Sequence, residues 1–195
     1  SEGISVYEER QANATWGQSL TPEYRELILG DALTPVSELS GAFLSPPSAL
    51  HLQFAYFESS LVVEHLVERY GMETLQRILV DLGAGISIND ALQRYTGSID
   101  ALDSEFAEYA REKARKLAPD VDWDKPDVPE DVTREAMAAW LEEHPNNYRG
   151  LEQYANLLLR DRNWNETQKV LEQIRKLYPG SIAAASMLAR VQREL

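Results

Sequence analysis

The sequence predicts an all-α fold, and three observations predict it. Apolar residues recur at three- and four-residue intervals along most of the chain, the period of a helix with one buried face. Helix start and stop residues punctuate those stretches at regular distances. No stretch carries the two-residue alternation of a half-buried strand.

Taken in order, residues 3–12 keep helical spacing, and Trp16-Gly17 ends them. Thr21-Pro22 opens a second helix: a threonine caps, and proline at the first helical position forfeits no hydrogen bond. It runs to about Leu29, and Gly30 stops it. Thr34-Pro35 repeats the signal for a shorter helix through Leu39. Ser40 to Pro47 reads as a loop, with Gly41 and Pro46-Pro47 as breakers. Ser48 to Tyr70 is the longest periodic stretch, with Leu50, Phe54, Phe57, Leu61, Val62, His65, Leu66 and Arg69 in register. Gly71 follows where a terminating glycine belongs. This helix is apolar on more than one face, so it is expected to be central. Further helices are expected over 73–82, over 88–96 behind a Ser87 cap, and over 99–117 behind a Ser98 cap.

Residues 119–131 hold three prolines and six acids, which rules out a packed helix. They are read as an acidic tether between two domains, 1–118 and 132–195, with Trp123 pinning the tether to one neighbour. Beyond it, Leu151, Tyr154, Ala155 and Leu158 space one helix. Trp164, Thr167, Leu171 and Ile174 space the next, and Pro179 closes the pair.

Charge and composition narrow the partners. The 195 residues carry 19 basic and 32 acidic side chains, a net charge of -13. That surface repels a phosphate backbone, so nucleic acid is not an expected partner. No apolar run approaches the roughly 20 residues a membrane span needs. The absence of cysteine removes disulfides, thiolate metal sites and cysteine nucleophiles.

Two stretches resemble known families. Ser1-Glu2-Gly3, followed by a helical turn through Tyr7 and Glu8, resembles the segment of gluzincin-type zinc peptidases that carries the third metal ligand. The helix from Phe54 to Gly71 resembles the one that follows in the peptidase MA-like family, and Leu75–Leu82, Ala91-Leu92, Gly97 and Leu102–Phe106 resemble its closing helices. The resemblance implies that Glu2 is a zinc ligand and that Tyr56 donates a hydrogen bond to the oxyanion. Such peptidases take two further ligands and a general base from His-Glu-x-x-His. His51, His65 and His144 do not have that spacing. The expectation is therefore a helical C-terminal part of a peptidase whose other half lies upstream, with zinc bound by the longer parent and no catalysis by these residues alone. The family is often exported in bacteria, which implies an extracytoplasmic parent.

The second stretch, Tyr148 to Pro179, is similar to a tetratricopeptide repeat, a helix–turn–helix of 34 residues. Pro145 lies 34 residues before Pro179, so 132–144 and 182–195 are read as parts of flanking repeats. Thr167 replaces the usual alanine and Arg162 the usual glycine. The repeat implies a protein or peptide partner on the face formed by first helices, where Arg149, Glu152, Asn156 and Arg160 fall.

Plainer readings stand beside these. Glu2 alone is a glutamate on an end turn, and Tyr56 alone is a helix tyrosine with a wet hydroxyl. His65 suits a core histidine, His51 a surface residue, and the four residues of the repeat an ordinary polar face. The alternative function is a non-catalytic, repeat-type interaction scaffold.

Overall fold

The structure is a computed structural model that describes residues 2–13, 16–129 and 131–195. Ser1 of the opening pattern and Glu130 of the acidic segment lie outside the described residues. Among the described residues the chain is all-α: eleven α-helices and one 3-10 turn, with a single isolated β-bridge and no strand. It divides into two compact units, Ser1–Leu117 and Ala118–Leu195.

The first unit contains α1 (Glu2–Ala12), α2 (Pro22–Leu29), a 3-10 turn (Val36–Glu38), α3 (Leu39–Leu44), α4 (Ala49–Tyr70), α5 (Met72–Gly83), α6 (Ile88–Thr96) and α7 (Ile99–Arg115). Local chemistry sets these boundaries. The Thr21, Ser48, Ser87 and Ser98 side chains each accept the backbone N–H three residues on, satisfying a donor the helix cannot. Gly71 (φ 87°) and Gly97 (φ 93°) end α4 and α6 in the left-handed region that an L side chain resists.

Helix α4 is the hub. It packs on α1, α3, α5 and α7. Along 54–66 it buries residues on every side, including the polar Glu58, Ser59, Ser60 and His65. Tyr24 of α2 stacks on Phe57 with ring centroids 5.0 Å apart, and Phe106 of α7 joins the same core. Two expectations fail here. Ser40–Pro47 is not all loop, because Leu39–Leu44 is helical through Gly41. Leu39 of this segment packs on the core, and tertiary contact of that kind overrides a glycine's weak propensity. Leu50 is 38 % exposed, since it sits in the first turn of α4, before the helix enters the core.

The crossing of α1 over α4 depends on a missing side chain. A Cβ on Gly3 would run into the Ser59 carbonyl oxygen, inside any permitted contact. Further along, Tyr7 packs with Val63 and Leu75, and Arg10 pairs with Glu64 at 2.9 Å. Lys113 of α7 reaches the other Glu64 oxygen at 2.6 Å. Burial pushes the Glu64 carboxyl up, but the Lys113 hydrogen bond and the Arg10 charge outweigh it and hold the group below its usual range.

The second unit contains α8 (Arg134–Glu143), α9 (Tyr148–Arg160), α10 (Trp164–Leu177) and α11 (Ile182–Val191). Its main packing is between consecutive helices. Gly150 lets α8 and α9 close, because a Cβ there would meet the Trp140 ring at 2.7 Å. Residues 118–129 belong to this unit and are fastened to it. Asp122 donates its N–H to Asn146 O and accepts the Tyr148 N–H on its own carbonyl. The Asn147 side-chain amide donates to Asp122 Oδ2 and to Asp124 O, while its carbonyl oxygen caps α9 at Gly150. Trp123 lies against Tyr148 and Tyr178 at 5.2 and 5.8 Å between centroids.

Candidate functional site

The candidate site is a groove of about 440 Å³ in the first unit. The start of α1, the 3-10 turn with α3, the middle of α4, and α5 and α6 form its walls. Glu2 and Tyr56 both line it, although 54 residues separate them in sequence. What brings them together is the α1–α4 crossing at Gly3 and Ser59, both of which also line the groove. Glu2 occupies the first turn of α1, where the helix dipole favours a carboxylate. Tyr56 is half-buried, with its ring edge-on to Phe43 of α3 at 5.1 Å. The Ser59 hydroxyl donates to the Tyr56 carbonyl at 2.9 Å, so its polarity is turned into the helix. The rest of the lining is mostly aliphatic, from Val62 and Leu66 of α4 to Ile78 and Leu82 of α5.

The histidines are elsewhere. His65 is buried among Phe106, Tyr70 and Tyr109, and burial pushes its pKa below the ordinary imidazole value. His51 is half-buried, with Nδ1 2.9 Å from the Ser48 hydroxyl that caps α4. His144, in the second unit, stacks on Trp140 at 4.1 Å. None of the three lines the groove. Among the described residues no group of three or more His, Cys, Asp or Glu is placed to hold a metal ion. Glu2 is therefore not part of a set of three or more such ligands among them, and the residues present do not by themselves fit a zinc ion.

Comparison with protein-family models, curated proteins and solved structures finds no match.

In the second unit, Leu151, Ala155 and Leu158 are the buried side of α9. At 100° per residue, Arg149, Glu152, Asn156 and Arg160 fall within about 80° of arc, centred roughly 130° from that side with Glu152 on its flank. Asn156 and Arg160 are exposed, while Arg149 and Glu152 are half-buried. The four share one stripe of a helix surface, and each is a hydrogen-bonding or charged group.

Sequence reasoning passed over one further residue. Glu58 is 1 % exposed. It accepts the Thr34 N–H on Oε1 at 2.6 Å, and Oε2 has no partner. Burial pushes its carboxyl up to about 7, against the pull of the Thr34 hydrogen bond. The available signal was an acid at 58 amid the apolar positions of a helix apolar on more than one face. Glu58 does not line the groove, so it belongs to the core and not to the candidate site.

Proposed function

We propose that residues 2–117 are the C-terminal helical part of a gluzincin-type zinc peptidase. We propose further that the second unit is a tetratricopeptide-like module for a protein or peptide partner. The observation that carries the first reading is the shared groove of Glu2 and Tyr56. In this reading Glu2 supplies one metal ligand of a longer parent chain. The Tyr56 hydroxyl is the donor for a peptide carbonyl lying in the groove, and a donor so placed is worth most where water is excluded. The two histidines and the general base come from an upstream segment, so hydrolysis belongs to the parent. For the repeat, support comes from consecutive-helix packing and from Arg162, whose φ of 55° stands where the repeat carries glycine.

The test uses the chain expressed with the coding sequence upstream of Ser1. A His-Glu-x-x-His there, one zinc per chain and cleavage of an unstructured peptide are the expected results. Glu2→Ala is expected to lose the zinc while the helical circular-dichroism signal stays. Tyr56→Phe is expected to keep the zinc and lose about 10²–10³ in kcat, as removal of one oxyanion donor does. Full zinc in Glu2→Ala would take that residue out of the site. An upstream sequence without the motif would end the peptidase reading and leave the interaction scaffold.

A further inference from the structure

We infer that the groove of the first unit is a docking site for a basic, amphipathic peptide segment that inserts apolar side chains between α3, α4, α5 and α6. This concerns binding by the metal-free chain alone and does not rest on the peptidase reading. The volume, about 440 Å³, falls in the range of roughly 300–1,000 Å³ typical of ligand sites. The lining continues onto the surface: Leu79 of α5 and Ile88 of α6 line the groove and remain 43 % and 41 % exposed. Apolar area left open beside a concave, largely aliphatic wall is the feature that helix-in-groove recognition uses.

Charge decides which apolar partner fits. Glu2 is the charged residue in the lining. The segment from Val36 to Leu44 bears one charge, the exposed Glu38, and α6 adds the exposed Asp90. The bases on the neighbouring helices are already committed, Arg77 to Glu73 at 2.6 Å and Arg94 to Asp81 at 2.7 Å. Residues 1–117 hold 18 acids and nine bases, net −9. An apolar ligand with an anionic head meets this field unfavourably, and so does a second copy of a chain of net charge -13. A segment with Lys or Arg beside its apolar residues gains from both terms.

The experiment is fluorescence anisotropy on the full 195-residue chain. The probe is a labelled helical peptide of about 18 residues, five turns, built from Leu and Lys. A counterpart replaces every Lys with Glu, and oleate serves as a competitor. The expected result is saturable binding of the Leu/Lys peptide, weakened by at least about tenfold in the Glu counterpart. Leu79→Asn combined with Ile88→Asn is expected to weaken it by a similar factor. Val80→Asn, on α5 but outside the lining and 71 % exposed, is expected to leave it unchanged. All three positions are open enough for the folded state to accept asparagine, which circular dichroism checks. Equal binding by the groove variant would reduce the effect to surface charge and overturn the inference. So would equal binding of the Glu peptide, displacement by oleate at matched concentration, concentration-dependent self-association through Leu79 and Ile88, or no binding at all.

Discussion

The two units bury their helices by different means. In the first, α4 is enclosed, and its contacts reach α1 and α7, which lie far away along the chain. In the second, each helix leans mainly on the next, and among the described contacts the longest tie runs from Trp123 to Tyr178. An enclosed helix takes polar groups inward with it, as Glu58 and His65 show. A helix in a stack keeps one face open, as the stripe on α9 shows. Enclosure creates a groove with residues from distant segments, whereas stacking leaves a surface whose residues are neighbours in sequence.

The largest expected effect tests enclosure directly. Phe57→Ala should cost about 3–5 kcal/mol, because Phe57 is 2 % exposed, stacked on Tyr24 and tilted against Phe54 with centroids 6.3 Å apart. Leu171→Ala in the stack should cost about 2–3 kcal/mol, toward the lower end for a buried leucine. Urea unfolding of both variants measures this, and the reverse order would break the contrast.

Glu58→Gln sharpens it through pH. In the folded chain the carboxyl titrates at about 7, and its ordinary value is 4.5. Between those values the native state holds a proton the unfolded state has released. Stability from Glu58 is thus present below 4.5 and is lost as pH rises to about 7. The amide removes that loss, so the variant should gain on the order of 1–3 kcal/mol at pH values above 7 and nothing at pH values below 4.5. Urea midpoints on either side of the window decide; a gain that is the same on both sides would mean that Glu58 is not a buried acid. His65 works the other way: its lowered pKa contributes stability that is lost as pH falls below the ordinary imidazole range.

Two glycines carry the comparison to smaller effects. Gly3→Ala sets a methyl against the Ser59 carbonyl of α4, which cannot turn aside, and should cost about 1–3 kcal/mol. Gly150→Ala meets the Trp140 ring, which can rotate, and should cost about 1 kcal/mol. Thermal unfolding of both variants checks the order, and equal losses would show that α1 is free to slide. Thr167→Ala should cost no more than about 1 kcal/mol, the value of one methyl group lost at a fully buried position. Its hydroxyl only returns a hydrogen bond to Asn163 O within the same helix, and the repeat carries alanine there. A loss above about 2 kcal/mol by the same measurement, twice that bound, would count against the repeat reading.

Most helices were legible because their signals are local. A cap is one side chain and an N–H three residues on, and Thr21, Ser87 and Ser98 serve where their spacing predicts. The central position of 48–70 was legible too, because a helix apolar on more than one face has little surface to offer water. The Leu39–Leu44 helix was not, since its glycine and nearby prolines read as breakers while its stability comes from contact. Of the candidate site, the identities of Glu2 and Tyr56 came from pattern alone. Their common groove, its aliphatic wall and the role of Gly3 required coordinates.

By itself, then, the sequence determined the helical class, the element order and the acid excess, because periodicity, caps and charge are properties of short segments. The tertiary structure alone decided that Glu58 is sealed in the core with one oxygen unpaired and that Gly3 is the contact point of α1 on α4. It alone decided that Glu2, Tyr56, Leu79 and Ile88 face one groove. Those facts depend on which helices cross and how closely, and closeness is set by packing between segments that no local signal connects.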